Sequence, residues 1–226
     1  MSGPTHIHWF RQDLRLADNP ALSAAASAGA VLPVYILDDI HSGSHRMGGA
    51  SRWWLHHSLT ALDRALGGKL VVMAGDPTEI LSHLAVATSA KAIHWNRAYE
   101  PWRITRDAKI KAQCAAQGIK AQSYNGSLLW EPWEVLKKDG TPYKVFTPFY
   151  RRGCLAAPPP RPPLPVPPTL NIAELDSNIE GARAITKLAL LPKHDWKNGL
   201  AATWSIGETA AHDRLKDFLD DGLNGY

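Results

Sequence analysis

Apolar strand patterns and helical patterns alternate five times between residues 5 and 124, and short connections join them. The predicted strands are 5–10, 30–37, 69–73, 90–96 and 119–124. The segment 30–37 is apolar on both faces, as in a strand buried within a parallel sheet. Repeated strand–helix units give a parallel sheet with helices on both faces. We therefore predict an α/β fold with a five-stranded parallel sheet of Rossmann-like architecture.

The ends of the predicted strands are the expected place for a ligand. In open parallel sheets, ligands bind beyond the carboxyl ends of the strands. Four of these ends read Phe10-Arg11, Asp38-Asp39, Gly75-Asp76 and Asn96-Arg97. No G-x-G-x-x-G follows the first strand, and the sequence has no Walker A lysine motif. A dehydrogenase-type dinucleotide site and a P-loop are therefore unsupported.

The alternation stops after residue 125, and the composition changes. Residues 158–168 contain eight prolines, which predict an extended, semi-rigid linker. Beyond the linker, Ser205 and Glu208 have the spacing of a capping box before an apolar helical stripe. We divide the chain into an α/β domain (1–130), an aromatic, basic and proline-rich linker segment (131–200), and the start of an incomplete helical domain (201–226).

The composition restricts the environment of the protein. Two cysteines in 226 residues exclude a disulfide framework and fit a reducing compartment. No apolar run approaches the roughly 20 residues of a membrane helix. The first residues lack the basic and apolar regions of a signal peptide. We therefore expect a cytoplasmic monomer without a membrane partner.

Positive charge is concentrated in one segment. Between residues 137 and 161 there are six basic residues and one acid, interleaved with aromatic residues. Lysine and arginine can replace the counterions of a nucleic acid backbone, so this pattern favours phosphate contact. The candidates are Lys144, Arg151 and Arg152. The alternative interpretation is a solvated basic loop.

Four stretches together resemble the DNA photolyase/cryptochrome family. They are W-F-R-Q-D-L-R-L-A-D-N-P-A-L at 9–22, G-A-S-R-W-W-L at 49–55, W-N-R-A-Y-E-P at 95–101 and Y-K-V-F-T-P-F at 143–149. The last helical segment, from Gly207, is similar to the first helix of the family's flavin-binding domain. The resemblance covers essentially the whole chain and is greatest to bacterial cyclobutane pyrimidine dimer photolyases.

The resemblance implies a function in light-driven DNA repair. In the family, an N-terminal α/β domain binds an antenna chromophore, and a helical domain binds FAD and the flipped-out pyrimidine dimer of UV-damaged DNA. The FAD pocket would lie mostly beyond Tyr226, so we expect a truncated deoxyribodipyrimidine photolyase that alone has no catalytic residues and no repair activity. The alternatives are a cryptochrome-type blue-light photoreceptor and a stand-alone nucleotide- or flavin-binding electron-transfer domain.

The resemblance also indicates residues that contact the antenna chromophore. These candidates are Phe10 and Arg11 at the end of the first strand and Asp38 at the end of the second. For the other cofactor, the resemblance implies Tyr226 as a contact to FAD phosphate. The chromophore would be methenyltetrahydrofolate, 8-hydroxydeazaflavin or a flavin. For Arg11 the alternative role is an ion pair that stabilises the turn.

Two further stretches supply candidates with structural alternatives. Arg52 begins a predicted helix, where its guanidinium and the free N–H groups could receive an anionic or carbonyl-rich ring. Trp53 is a candidate contact, although it and Trp54 cannot share one helix face, so at least one belongs to the core. Asn96 and Glu100 follow the fourth strand. The resemblance implies that Glu100 accepts N–H bonds from a ring, whereas an acid there could also stabilise a helix N-terminus.

The histidines do not predict a metal site. His6 and His8 share a strand face, and His41 and His45 lie four residues apart in a loop. Neither pair has a cysteine or carboxylate at the spacing that metal sites require. We therefore expect no metal.

Overall fold

A five-stranded parallel sheet forms the centre of the protein, as predicted. The computed structural model describes residues 3–174, 179–194 and 196–225. The strands are β1 (Thr5–Phe10), β2 (Ala30–Leu37), β3 (Val71–Ala74), β4 (Ala92–Asn96) and β5 (Lys120–Tyr124). Their order is β3-β2-β1-β4-β5, and every neighbouring pair is parallel. β1 and β2 are almost wholly buried, and β2 is apolar along its whole length, as expected for a strand that is covered on both faces.

Helices cover both faces of the sheet and bury its side chains. The helices of the α/β unit are α1 (Pro20–Ala28), α2 (Gly49–Ala65), α3 (Pro77–Ala87) and α4 (Pro101–Ala116). One face packs against α3 and α4 through residues such as Trp9 and Leu81. The other face packs against α1 and α2 through residues such as Phe10 and Leu59. Residues adjacent on β1 therefore enter different cores, because strand side chains alternate between faces.

Two helices of the α/β unit begin at side-chain caps that are followed by proline. The Asn19 side chain accepts a hydrogen bond from the Leu22 N–H, with proline at the first turn of α1. Asp76 caps α3 in the same way, again followed by proline. Side-chain caps satisfy N–H groups that the helix itself leaves unpaired, and proline there loses nothing because its missing N–H would be unpaired.

The proline-rich segment lies along the α/β domain. The Leu164 N–H donates to the Asp18 carboxylate at 3.1 Å, and the Leu164 carbonyl accepts from the Asp18 N–H at 2.8 Å. Arg161 forms an ion pair with the same carboxylate at 2.6 Å. Further along, Ile172 forms a parallel bridge with Val31 at the start of β2. The linker is thus fixed to the domain by backbone and charged contacts.

Three further α-helices are α5 (Phe146–Pro148), which lies within the basic segment, α6 (Asn198–Thr203) and α7 (Glu208–Asp217). The predicted capping box at α7 is wrong, because Gly207 is the residue that precedes the helix and no side chain caps it. The Glu208 carboxylate instead accepts hydrogen bonds from the backbone N–H groups of Leu16 and Ala17 at 2.7 and 2.8 Å. A carboxylate that finds backbone donors on another element is unavailable for a local cap. These bonds hold α7 against the loop that follows β1.

Candidate functional site

A cavity of about 740 Å³ lies beyond the carboxyl ends of β1 and β2. Its walls come from those strands, from α2 and α4, and from the segment that contains α7. The volume is in the range of small-molecule sites. The position agrees with the parallel topology, because ligands of such sheets bind beyond the carboxyl ends of the strands.

Four tryptophans line this cavity: Trp9, Trp54, Trp102 and Trp204. Trp54 from α2 and Trp204 before α7 meet edge to face, with ring centroids 5.7 Å apart. On the opposite wall, the Arg106 guanidinium lies 4.9 Å from the ring centroid of Trp9 and 5.2 Å from that of Trp102. Large flat indole surfaces on several walls are suited to a planar conjugated ligand.

A buried ion-pair network supports the floor of the cavity. The Arg106 guanidinium donates to Asp38 at 2.9 Å and to Asp107 at 2.8 Å, and Arg11 donates to Asp107 at 2.6 Å. Burial alone raises the pKa of Asp38, but hydrogen bonds from the His41 backbone and from Arg106 outweigh it and hold that pKa below its ordinary value. The Asp38 carboxylate is therefore ionised at neutral pH and positions Arg106.

The Arg11 side chain is buried, and only one of its three guanidinium nitrogens has a hydrogen-bond partner among the described residues. Its side chain is 7% exposed, and one nitrogen, Nη1, is used by Asp107. Within the described part of the chain, Nε and Nη2 have no hydrogen-bond partner. Burial lowers the pKa of Arg11, and the nearby Asp107 and Asp13 oppose that effect. Because these two nitrogens have almost no accessible surface, they lie inside the wall and do not face the cavity, and the observed role of Arg11 is its ion pair with Asp107.

A second cavity of about 350 Å³ adjoins the first. It lies between the loops after β1 and β4, and both cavities share Arg11 and Arg103 as wall residues. Asn96 and Glu100 line the smaller cavity. Glu100 immediately precedes α4 and lies 3.5 Å from the Arg103 guanidinium.

The predicted site residues separate into two groups. Arg11 and Asp38 line the larger cavity, and Arg11, Asn96 and Glu100 line the smaller one. Asn96 is buried, accepts from the Ala21 N–H and donates to Asp13, so it joins β4 to the start of α1. Tyr226 lies outside the described residues.

Three predicted contacts lie away from both cavities. Phe10 is fully buried against α1 and α2, on the sheet face opposite Trp9. Trp53 is 2% exposed and contacts His57, so Trp54 is the member of the pair that reaches the cavity. Arg52 donates to Asp39 at 2.6 Å and to the Met47 carbonyl. The physical reason is the same for Phe10 and Trp53, because side-chain direction on a strand or helix changes with every residue.

Residues that the sequence reasoning missed form much of the cavity. They include Trp102, Arg103, Arg106 and Trp204. Position 106 lies four residues after 102 and three after 103, so it neighbours both on the helix surface, which was a usable signal. Trp204 had no such signal. It lies about 150 residues after Trp54, and only the tertiary packing brings the two side chains together.

The basic segment presents a separate surface. Lys144, Arg151 and Arg152 are exposed. Beside them, Phe146 and Tyr150 are also exposed and stack with centroids 5.9 Å apart and planes 7° apart. Exposed cations next to stacked aromatic rings form a surface suited to a nucleic acid backbone and its bases.

Neither a membrane-spanning helix nor a cluster of metal-binding side chains occurs among the described residues. In residues 3–174, 179–194 and 196–225, none of the helices has the length and apolar character needed to cross a bilayer. Over the same ranges, histidine, cysteine and carboxylate side chains do not gather in threes at metal-binding distance.

Comparison with known proteins gives a consistent result. A photolyase of Agrobacterium fabrum is 40% identical over 97% of this chain and 46% of its own length. Cryptochrome-1 of Arabidopsis thaliana is 36% identical over the whole of this chain and 33% of its own. The crystal structure of a bacterial class III photolyase from Agrobacterium tumefaciens superposes with a TM-score of 0.87 at 38% identity, over 97% of this chain and 45% of that one.

The chain therefore spans about half the length of the photolyase that it matches. Residues 6–168 match the family model described as DNA photolyase. This range includes the sheet apart from Thr5, helices α1 to α4 and the whole proline-rich segment 158–168. Together, the matched range and the parallel sheet show that the chain belongs to the DNA photolyase family.

Proposed function

We propose that this chain binds a light-absorbing antenna chromophore as the α/β part of a flavin-dependent deoxyribodipyrimidine photolyase. The observation that supports this most directly is the tryptophan-lined cavity at the carboxyl edge of the sheet, where the Arg106 guanidinium lies close to the rings of Trp9 and Trp102. Such a site fits a planar conjugated molecule.

Different side chains would contact different parts of the chromophore. Trp54 and Trp204 would stack against the ring system from one side, and Trp102 would limit it on the other. The ion pair with Asp38 holds the Arg106 guanidinium close to the indoles of Trp9 and Trp102. When bound, the chromophore supplies absorption of near-ultraviolet or blue light. Methenyltetrahydrofolate, 8-hydroxydeazaflavin and flavins are all compatible in size and shape.

The test is to identify what the purified protein carries. Small molecules are extracted and analysed by mass spectrometry, and the absorption spectrum is recorded before extraction. We expect a folate or deazaflavin band in the near-ultraviolet or violet, or flavin peaks, together with quenching of tryptophan fluorescence. The W54A variant should lose most of the bound molecule, whereas W133A, which alters an exposed tryptophan outside both cavities, should retain it. Equal loading of both variants would contradict the assignment.

We infer that Lys144, Arg151 and Arg152 contact the DNA backbone in the complete protein. These side chains are exposed and adjoin stacked aromatic rings. The R151Q/R152Q double variant of a complete protein should bind DNA more weakly regardless of sequence, with a shallower dependence on salt. The matched control is K69Q/K91Q, which removes two exposed charges elsewhere. An unchanged salt slope in R151Q/R152Q would refute the contact.

The repair reaction is a proposal for the complete protein. FAD would supply the electron that opens the cyclobutane ring, and this chain would contribute light harvesting and the interface to DNA. We expect this chain alone to hold no stoichiometric FAD and to repair no pyrimidine dimers under blue light. Either activity in the isolated chain would overturn that expectation.

A blue-light photoreceptor is the second candidate, because a plant cryptochrome matches the whole of this chain at 36% identity. Both candidates use the same antenna cavity. They differ in DNA repair, so a dimer-repair assay on the complete protein separates them. Repair supports the photolyase, and photoreduction of flavin without repair supports the photoreceptor.

A further inference from the structure

We propose that α7 forms a detachable wall of the larger cavity, so that ligand binding and attachment of this helix stabilise each other. The ligand is the planar conjugated molecule of the proposed function, on which this inference rests. It would be held between the edge of the sheet and α7. Detachment of α7 would then open the cavity, and a bound ligand would keep the helix in place.

One face of α7 is directed at the cavity. The cavity-lining residues of the helix include four at positions i, i+3, i+4 and i+7: Glu208, Ala211, His212 and Leu215. Residues at this spacing lie on one side of a helix. Glu208 fixes the orientation of that side, because its carboxylate accepts the backbone hydrogen bonds from the loop after β1. The apolar members of the face, Ala211 and Leu215, therefore point toward the α/β domain.

This face of α7 borders open space and not packed side chains. None of the ten residues of α7, all of which the structure describes, is buried. Leu215 lines the cavity and is nevertheless 53% exposed, whereas a leucine packed in a core is almost inaccessible. A helix with few buried contacts opens locally at a small cost in free energy. A ligand that fills the space in front of α7 would supply the apolar contact that the helix lacks.

The residues that precede α7 belong to the same wall. Trp204 lines the cavity, is 50% exposed, and meets Trp54 of α2 with ring centroids 5.7 Å apart. Gly207 also approaches α2 closely, because a Cβ at this position would lie 2.8 Å from the Ala61 Cβ. These contacts lie at the N-terminal end of the helix, and Leu215 lies about two turns further along.

The opposite wall belongs to the α/β domain. Trp9 and Tyr35 of the sheet and Trp102 and Arg106 of α4 line the same cavity as α7. A ligand with one surface on each wall loses part of its contacts when α7 detaches, so detachment costs more free energy in the complex. The coupling is reciprocal, and attachment of α7 raises the affinity for the ligand by the same factor.

Hydrogen exchange of α7 with and without ligand tests this coupling. The probes are FMN, methenyltetrahydrofolate and 8-hydroxydeazaflavin, and their dissociation constants are measured by fluorescence on ligand-free protein. At a concentration of about 100 times the dissociation constant, an opening that expels the ligand becomes about 100-fold rarer. We expect amides of α7 to exchange at least about 10-fold more slowly with ligand. Amides of residues 149–156, which lie outside both cavities, should not change.

The L215A variant tests the contact between α7 and the ligand. Leu215 is not a core residue, so the substitution leaves the α/β fold intact. Covering roughly half of a leucine side chain corresponds to about 5-fold in affinity, and the dissociation constant should increase by that factor. The matched control is L219A, because Leu219 is 52% exposed and follows α7 but lies outside both cavities. Equal dissociation constants for L215A and L219A would contradict a contact between the ligand and α7.

The coupling and the chromophore site can fail separately. If a probe binds while α7 exchanges at the same rate with and without it, the coupling is overturned and the chromophore cavity stands. If all three probes fail to bind, the chromophore site is overturned and the coupling with it. If residues 149–156 are protected as strongly as α7, the ligand stabilises the chain generally, and the specific coupling is again overturned.

Discussion

The attachment of α7 to the α/β domain depends on one carboxylate. Glu208 accepts two backbone hydrogen bonds, from Leu16 at 2.7 Å and from Ala17 at 2.8 Å, and its side chain is 22% exposed. The variant E208Q removes the negative charge and turns an amide NH₂ toward one of two N–H donors. We therefore expect α7 to detach more readily, while the sheet stays intact.

The magnitude follows from the type of bond. A hydrogen bond to a charged group contributes about 1.5–3 kcal/mol net, and partial exposure places this pair near the lower end. E208Q should therefore lower the free energy of local opening of α7 by about 1.5 kcal/mol, a factor of about 10 in the opening equilibrium. The global free energy of unfolding should change less, because the strands do not contact Glu208.

Hydrogen exchange measures this opening directly. Amides of Glu208–Asp217 should exchange about 10-fold faster in E208Q, and amides of β1 and β4 should not change. The matched control is E79Q, which alters an exposed acid in the first turn of α3. If α7 exchanges equally in wild type and E208Q, the two backbone bonds do not hold the helix and the reasoning is refuted.

Three further outcomes are expected. Burial lowers the pKa of His8 and of His94 to about 4, whereas in the unfolded chain these histidines bind protons near pH 6.5. Protonation therefore stabilises the unfolded state, and the free energy of unfolding decreases as the pH falls below 6.5. Urea unfolding should therefore show stability that is full above pH 6.5 and declines toward pH 4, and a decline that H94Q does not reduce would contradict this cause. W53A should cost about 3–5 kcal/mol in urea unfolding because it empties a core position, and W54A should cost clearly less. G207A should loosen α7 in hydrogen exchange, since Gly207 has φ +118° and a Cβ there would lie 2.8 Å from the Ala61 Cβ, whereas G199A, at an open position, should not.

The fold could be predicted from the sequence because its signals are local. Continuous apolar runs such as 30–37 and helical spacing such as that of Leu55, Leu59 and Leu62 repeat along the chain. Each signal depends only on neighbouring residues, and parallel topology follows from their alternation. The Asn19 cap and the position of the site at the strand ends were predictable for the same reason.

The composition of the site was predictable only in part. Arg11 and Asp38 follow strands, so their arrival at the carboxyl edge is a consequence of topology. Phe10, Trp53 and Arg52 show the limit of that reasoning. Side chains of neighbouring residues on a strand or helix point in different directions, so one lies in the core and the next lines the cavity. The motif that carries the resemblance does not show which of the two faces the cavity.

Local periodicity determined the sheet, its helices and the edge at which a ligand can bind. Tertiary structure decided which side chains form the walls. Glu208 reaches its backbone donors across 192 positions of sequence, and Arg11 meets Asp107 across 96. No local pattern encodes such pairs, because they form only when packing brings α4 and α7 to the end of β1. The meeting of Trp54 with Trp204 at the cavity likewise exists only in that packed arrangement.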